Sequence, residues 1–198
     1  MRKLFILPLL FTTLLGADLA EELIEMARDS QQCRMELLQI EWKNQSPNEK
    51  LRTEIAECDR RTTERLKEIV AENGWPRKSR VGASAAKAAW LVAQHSKHDP
   101  EFMEQILRRI TPLVAQGEVD VEQFALLSDH ISVLHGEPQL YGTQYTCEWI
   151  SGGLQMTPSS PIFEPHLLDH RREGLGLSTH MEYLQKLAAI LVKDPDNS

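Results

Sequence analysis

The chain has 198 residues and 22.6 kDa, with 41% hydrophobic and 26% charged residues, which excludes wholesale disorder and suits one domain of ordinary size. A formal net charge of −7 and a pI near 5.5 disfavour nucleic acid or anionic lipid as the main partner. Three cysteines exclude a disulfide-dense scaffold, and no apolar run after residue 20 is long enough to cross a bilayer.

Met1-Arg2-Lys3, an apolar run from Leu4 to Leu15 and the small pair Gly16-Ala17 form the pattern of a secretory signal peptide over residues 1–17. The expectation is therefore a periplasmic or secreted protein with no stable membrane span once the leader is cleaved. The alternative is an uncleaved N-terminal anchor, for which the apolar run is short.

From Asp18 to Glu41, Leu19, Leu23, Met26, Ser30, Cys33, Leu37 and Leu38 recur at helical spacing, and Asp18 with Glu21 reads as a capping box. A second helix is predicted from about Asn48 to Asn73, with Leu51, Ile55, Cys58, Leu66, Ile69 and Val70 on its seam. Gly74 and Pro76 stop it. In a hairpin turning about residue 46, positions whose numbers sum to about 92 face each other. Cys33 and Cys58 sum to 91. With a 1.5 Å rise per residue, these two suit a disulfide in an oxidising compartment. Two buried thiols on an apolar seam suit the pattern equally well. Cys147 is left over in both cases.

Residues 75–83 read as a loop carrying the basic cluster Arg77, Lys78 and Arg80. An alanine-rich helix follows over Ser84–Ser96. The next starts at Asp99-Pro100 and runs to Gly117, and another runs from Asp120 to Gly136. Two strands are predicted as a β-hairpin, Leu140–Ile150 against Leu154–Phe163. Thr179 and Glu182 open a last helix ending near Lys193, and the tail from residue 194 reads as disordered. The expected architecture is mainly α: a single helical domain over residues 18–193, opening with an antiparallel helical hairpin and carrying one small β-hairpin.

Gly74-Trp75-Pro76, Val81-Gly82, Ala88-Ala89-Trp90-Leu91, Gln94-His95 and Asp99-Pro100 follow one another at a characteristic spacing. Tyr141-Gly142-Thr143-Gln144, Asp169, Arg171-Arg172 and Leu175-Gly176-Leu177 continue the series. Over roughly residues 50–190 this resembles an uncharacterised bacterial domain-of-unknown-function family. The resemblance implies a shared domain and no reaction. Asp129-His130 departs from it, standing where Asp-Arg is expected in relatives, which puts in doubt any anion-binding role carried over to that position.

His95 is the first candidate site residue, a general base if a carboxylate lies nearby. His98 and Asp99 would add metal ligands, although Asp99 already has a role as helix cap. His166 and His170, four apart, are a weaker ligand pair. Trp75, Tyr141, Gln144, Arg171 and Arg172 are candidates for binding a small polar or anionic ligand. The bland alternatives are a core tryptophan, a packed strand entry and a charged helix face. Gly142 would let a ligand or a neighbouring chain approach the backbone closely. No Gly-x-Ser-x-Gly, phosphate-cradling glycine loop, His-Glu-x-x-His or Cys-x-x-Cys occurs, and no cofactor or metal is expected.

Three functions follow. The first is a binding or interaction module for a small polar ligand or a protein partner. The second is a hydrolase-like enzyme with His95 as base and Gln144 with Arg171 or Arg172 orienting an anionic substrate. The third is a structural envelope protein without ligand. A protein partner would need an exposed apolar patch on the first helices, and the enzyme would need its residues to share one pocket.

Overall fold

The computed structural model describes residues 9–44, 48–151 and 153–192. In chain order the elements are α1 (Leu9–Asn44), α2 (Glu49–Asn73), α3 (Lys78–Val81), α4 (Ala83–His95), α5 (Pro100–Val114) and α6 (Val121–Leu134). Then come β1 (Tyr145–Ile150), β2 (Gly153–Pro158), a single 3-10 turn (Pro165–Leu167), α7 (Leu168–Gly174) and α8 (His180–Val192). The fold is mainly helical, with one two-stranded antiparallel sheet before the C-terminal helices. Among the described residues, no helix is long and apolar enough to cross a membrane. Residues 1–8 of the predicted leader and the tail from residue 193 lie outside the described residues.

Two compact units divide the chain, residues 1–119 and residues 120–198. In the first, α1 and α2 form the predicted hairpin, and α4 packs on both. The alanines of α4 explain the close approach. Ala85, Ala86, Ala88, Ala89 and Ala93 are all buried, and such short side chains let helix backbones come near each other. Trp75 and Trp90 are buried in the same core, and Met103, Ile106 and Ile110 line the inward face of α5.

Local chemistry sets most helix ends. The Asn48 side chain accepts from the Leu51 N–H at 3.1 Å, and Asp99 accepts from the Phe102 N–H at 3.0 Å with Pro100 behind it. Gly74, at φ 72°, donates its N–H to the Val70 carbonyl and ends α2. Two expectations need correction. Asp18 caps nothing, because α1 begins at Leu9 and the chain is already helical there. The stretch 75–83 also contains a helical turn, α3, whose Arg80 donates to the Asn73 carbonyl and side chain at the end of α2. Beside it, Glu118 accepts from the Ser79 N–H. That bond, with Arg77 and Lys78 nearby, holds its carboxyl below the usual range.

In the second unit, β1 and β2 pair from Tyr145↔Pro158 to Ile150↔Gly153. This is shorter than the predicted Leu140–Ile150 and Leu154–Phe163. Residues 140–143 do not join the ladder: the N–H groups of Leu140, Tyr141 and Thr143 are bonded to the Asp129 side chain instead. The predicted Thr179–Glu182 capping box is present: Glu182 accepts from the Thr179 N–H at 2.9 Å, and the Glu182 N–H donates to Thr179 Oγ1 at 3.3 Å.

Candidate functional site

The segment Leu140–Gln144 is held on both its donor and its acceptor side. Asp129, on α6 and fully buried, accepts from the N–H groups of Leu140 (2.8 Å), Tyr141 (3.0 Å) and Thr143 (2.9 Å), and from the Thr143 hydroxyl (2.9 Å). Gln139, also fully buried, accepts from the Gln144 N–H at 2.7 Å and donates to the Gln144 and Ser160 carbonyls at 3.0 Å. The carbonyls are met from the other side. Arg171 Nε donates to Leu140 O at 2.8 Å, Arg172 Nη1 to Tyr141 O at 2.6 Å, and the Tyr183 hydroxyl to Thr143 O at 2.7 Å. Apart from the exposed Leu140 carbonyl, these are buried or half-buried polar groups that would be costly to leave unpaired.

Both arginines are therefore engaged within the protein. Arg172 is 2% exposed, donates through Nε to Ser178 O at 2.7 Å, and lies 5.0 Å from the Tyr183 ring centre. The Arg171 guanidinium also donates to the carbonyls of Phe163 and Glu164. Glu164 has φ 37°, the one positive value among described non-glycine residues, and Arg171 braces that turn. Gln144 donates its amide to Leu126 O at 3.2 Å.

Gly142 is buried at φ 62°, and a Cβ there would meet Ile162 and Leu168 side-chain carbons at 3.3 Å and His180 Nε2 at 3.4 Å. The close approach foreseen at this glycine is made by the protein's own side chains. Gly142→Ala is expected to cost about 1–3 kcal/mol, from the left-handed backbone and the tight contacts together. Chemical denaturation measures it, and an unchanged midpoint would contradict the packing argument.

His180 was not singled out by the sequence, yet its Nε2 lies 2.5 Å from the Tyr145 hydroxyl, and its N–H donates to Asp169 at 2.7 Å. Burial, then the Arg172 charge, push its imidazole below the ordinary value of 6.5, against a smaller opposing pull from Asp169. Burial raises the Tyr145 phenol. The hydrogen bond thus joins a phenol and a neutral ring. Because folding lowers the proton affinity of His180, its contribution is complete above pH 6.5 and is lost as pH falls below that value. Between pH 7.5 and 5.5 the parent should lose more stability than His180→Gln; parallel curves would refute this.

His95 belongs to the first unit, at the end of α4. Its Nδ1 lies 3.1 Å from the hydroxyl of Ser30, which is 1% exposed on α1. Ser30 directs its proton toward Asp59 Oδ1 at 3.4 Å and accepts from Arg34, whose Nη2 donates to Asp59 Oδ2 at 2.6 Å. Ser30 thus links the His95 ring to the Arg34–Asp59 ion pair. Ser30, Arg34 and Asp59 were invisible as partners because the hairpin register and α4 together create the contact. Asp99 caps α5 and accepts from Lys67 Nζ at 2.7 Å, which pulls its carboxyl down and the Lys67 ammonium up. Among the described residues no set of three metal-ligating side chains converges. His166 stands in the 3-10 turn and His170 on α7, both exposed.

Among the described residues, the first unit carries two grooves of note. One, about 310 Å³, runs between α2 and α5, with Val70 and Phe102 apolar and Lys67, Asp99, Glu101 and Arg109 charged. The other, about 360 Å³, lies between α1 and α2. Both Cys33 and Cys58 line it as free thiols. The candidates thus fall into separate sets: Tyr141, Gln144, Arg171 and Arg172 meet around one loop, while Trp75 and His95 belong to the other unit.

No curated protein and no solved structure matches the chain. A family model does match, and by it the chain belongs to the Family of unknown function (DUF6624) over residues 17–192, a span that takes in α1 from residue 17 onward, outside the reach of the motif resemblance.

Proposed function

We propose that the protein is an exported binding module for a small polar ligand carrying charge, taken up in the groove between α2 and α5. The observation that carries this reading is the make-up of that groove. An apolar floor of Val70 and Phe102 lies beside two cations, Lys67 and Arg109, and two carboxylates, Asp99 and Glu101. Its volume of about 310 Å³ suits a small molecule. A ligand with both charge signs, such as an α-amino acid, complements it best, with its carboxylate toward Arg109. Export is supported by the leader pattern of residues 1–17. A protein partner on the hairpin is less well supported, since Met35 is the one large hydrophobic residue well exposed on α1 or α2 among the described residues.

Titration calorimetry with α-amino acids and dicarboxylates tests the proposal. Binding should weaken tenfold or more, about 1.4 kcal/mol, in Arg109→Ala and in Lys67→Ala. If no member of either class binds, or if both variants bind as the parent does, the reading fails. A second reading, the hydrolase with His95 as general base, is supported by its contact with the buried Ser30 hydroxyl, which orients the ring. It requires ester or amide hydrolysis that His95→Gln abolishes.

A further inference from the structure

We propose that Cys33 and Cys58 are a thiol pair that closes to a disulfide and staples α1 to α2. The oxidising setting rests on the export reading; the pairing rests on the hairpin itself.

Two ion pairs fix the register of α1 against α2 near the cysteines. Arg65 Nε donates to Glu22 at 2.6 Å, and Arg34 donates to Asp59 at 2.6 Å. The numbers of those partners sum to 87 and 93, and Cys33 with Cys58 falls between them at 91. Both thiols line the same groove between the two helices. Cys147, by contrast, lies on β1 opposite Met156.

The order of the chemistry follows from exposure. Cys33 is half-buried and Cys58 is 6% exposed, so Cys33 meets the oxidant first. The oxidant is a disulfide of the donor class that secreted proteins meet. The Cys33 sulfur loses its proton and attacks one donor sulfur, and the other donor sulfur leaves as a thiolate. Cys58, deprotonated in turn, attacks the Cys33 sulfur and expels the second donor sulfur. Two protein thiols have become one disulfide, and the donor has taken the two electrons and two protons as two thiols. Burial raises the Cys58 thiol, and so do Asp59, Cys33 and Asp29, against a pull from Arg61, which agrees with its acting second.

The staple has a consequence for His95. Ser30 lies one helical turn before Cys33, and Arg34 and Asp59 are the immediate neighbours of the two cysteines. A covalent bond at this level holds in place Ser30, which touches the ring, and Arg34 and Asp59, which bond to Ser30.

The test uses the purified full chain, equilibrated with oxidised glutathione and denatured for a thiol count. Three thiols should fall to one, and peptide mapping should join the Cys33 and Cys58 peptides. The staple closes a loop of about 25 residues, so Tm should rise by roughly 6–12 °C over the reduced protein. Cys33→Ser, at the more exposed position, should melt like the reduced parent in both conditions. A count that stays at three, a glutathione adduct without the bridge, or a bridge to Cys147 overturns the proposal. Alkylation of intact cells separates it from the export reading. Reduced thiols in cells with a bridge in the tube would sink export and leave the pairing standing.

Discussion

Replacing Asp129 with alanine is expected to destabilise the second unit by about 3–5 kcal/mol, enough to abolish its cooperative unfolding. The carboxylate is fully buried and receives three backbone N–H groups and one hydroxyl from residues 140–143. Removing it strands four donors where water has no ready access, and each bond to a charged acceptor is worth about 1.5–3 kcal/mol. Asparagine should do nearly as much harm, since its NH2 group would face an N–H donor on one side. Hydrogen exchange reads the effect at its source. The amides of Leu140, Tyr141 and Thr143 should lose protection in Asp129→Asn, while those of α2 keep theirs. Unchanged protection, or a loss under 1 kcal/mol for Asp129→Ala, would show that the loop holds itself.

The second large effect is expected at Arg172, where lysine should cost about 2–4 kcal/mol although the charge is kept. Its Nε and Nη1 reach the carbonyls of Ser178 and Tyr141 at once, and its plane covers the Tyr183 ring. A single ammonium cannot meet both carbonyls with that geometry. Tyr183 depends on the same arrangement. Burial pushes its phenol up to about 12, partly offset by Arg172, so it remains a donor to the Thr143 carbonyl. If Arg172→Lys melts with the parent, the fork is dispensable and the charge alone suffices. A double-mutant cycle with Asp129 should give a coupling of about 1 kcal/mol or more, since both residues act on the same loop.

These two expectations bear on function by subtraction. Arg171 and Arg172 were attractive as anion-binding residues, yet each guanidinium meets backbone carbonyls within its own unit. Lys67, Asp99, Glu101 and Arg109, by contrast, line the groove between α2 and α5. Lys67 and Arg109 carry no motif, lie far apart in sequence and were not singled out. Proximity of α2 to α5 makes them a set.

Much of the fold was legible because its signals are short-range. Asn48, Gly74, Asp99-Pro100 and Thr179 with Glu182 each act on backbone groups within four residues, so the chain order alone places those helix ends. The hairpin was legible for a related reason. Two long helical periods joined by a short turn have one antiparallel register, and Arg34 with Asp59 confirms it. Where a local signal competed with a longer one, it misled. Asp18 has the chemistry of a cap, but it sits inside a helix that has already begun at Leu9.

The sequence by itself determined the longer helices, their main stops, the hairpin and the membership that the motifs suggested, but not the short α3 and α7. Only the tertiary structure decided what the polar residues do. Asp129 meets residues 11 to 14 positions away, Arg172 meets Tyr141 across 31, Tyr183 meets Thr143 across 40, and Ser30 meets His95 across 65. An arginine that binds a ligand and one that braces a loop are the same residue type in the same pattern. The difference is whether its hydrogen-bond donors are met by distant backbone, and that is settled by folding.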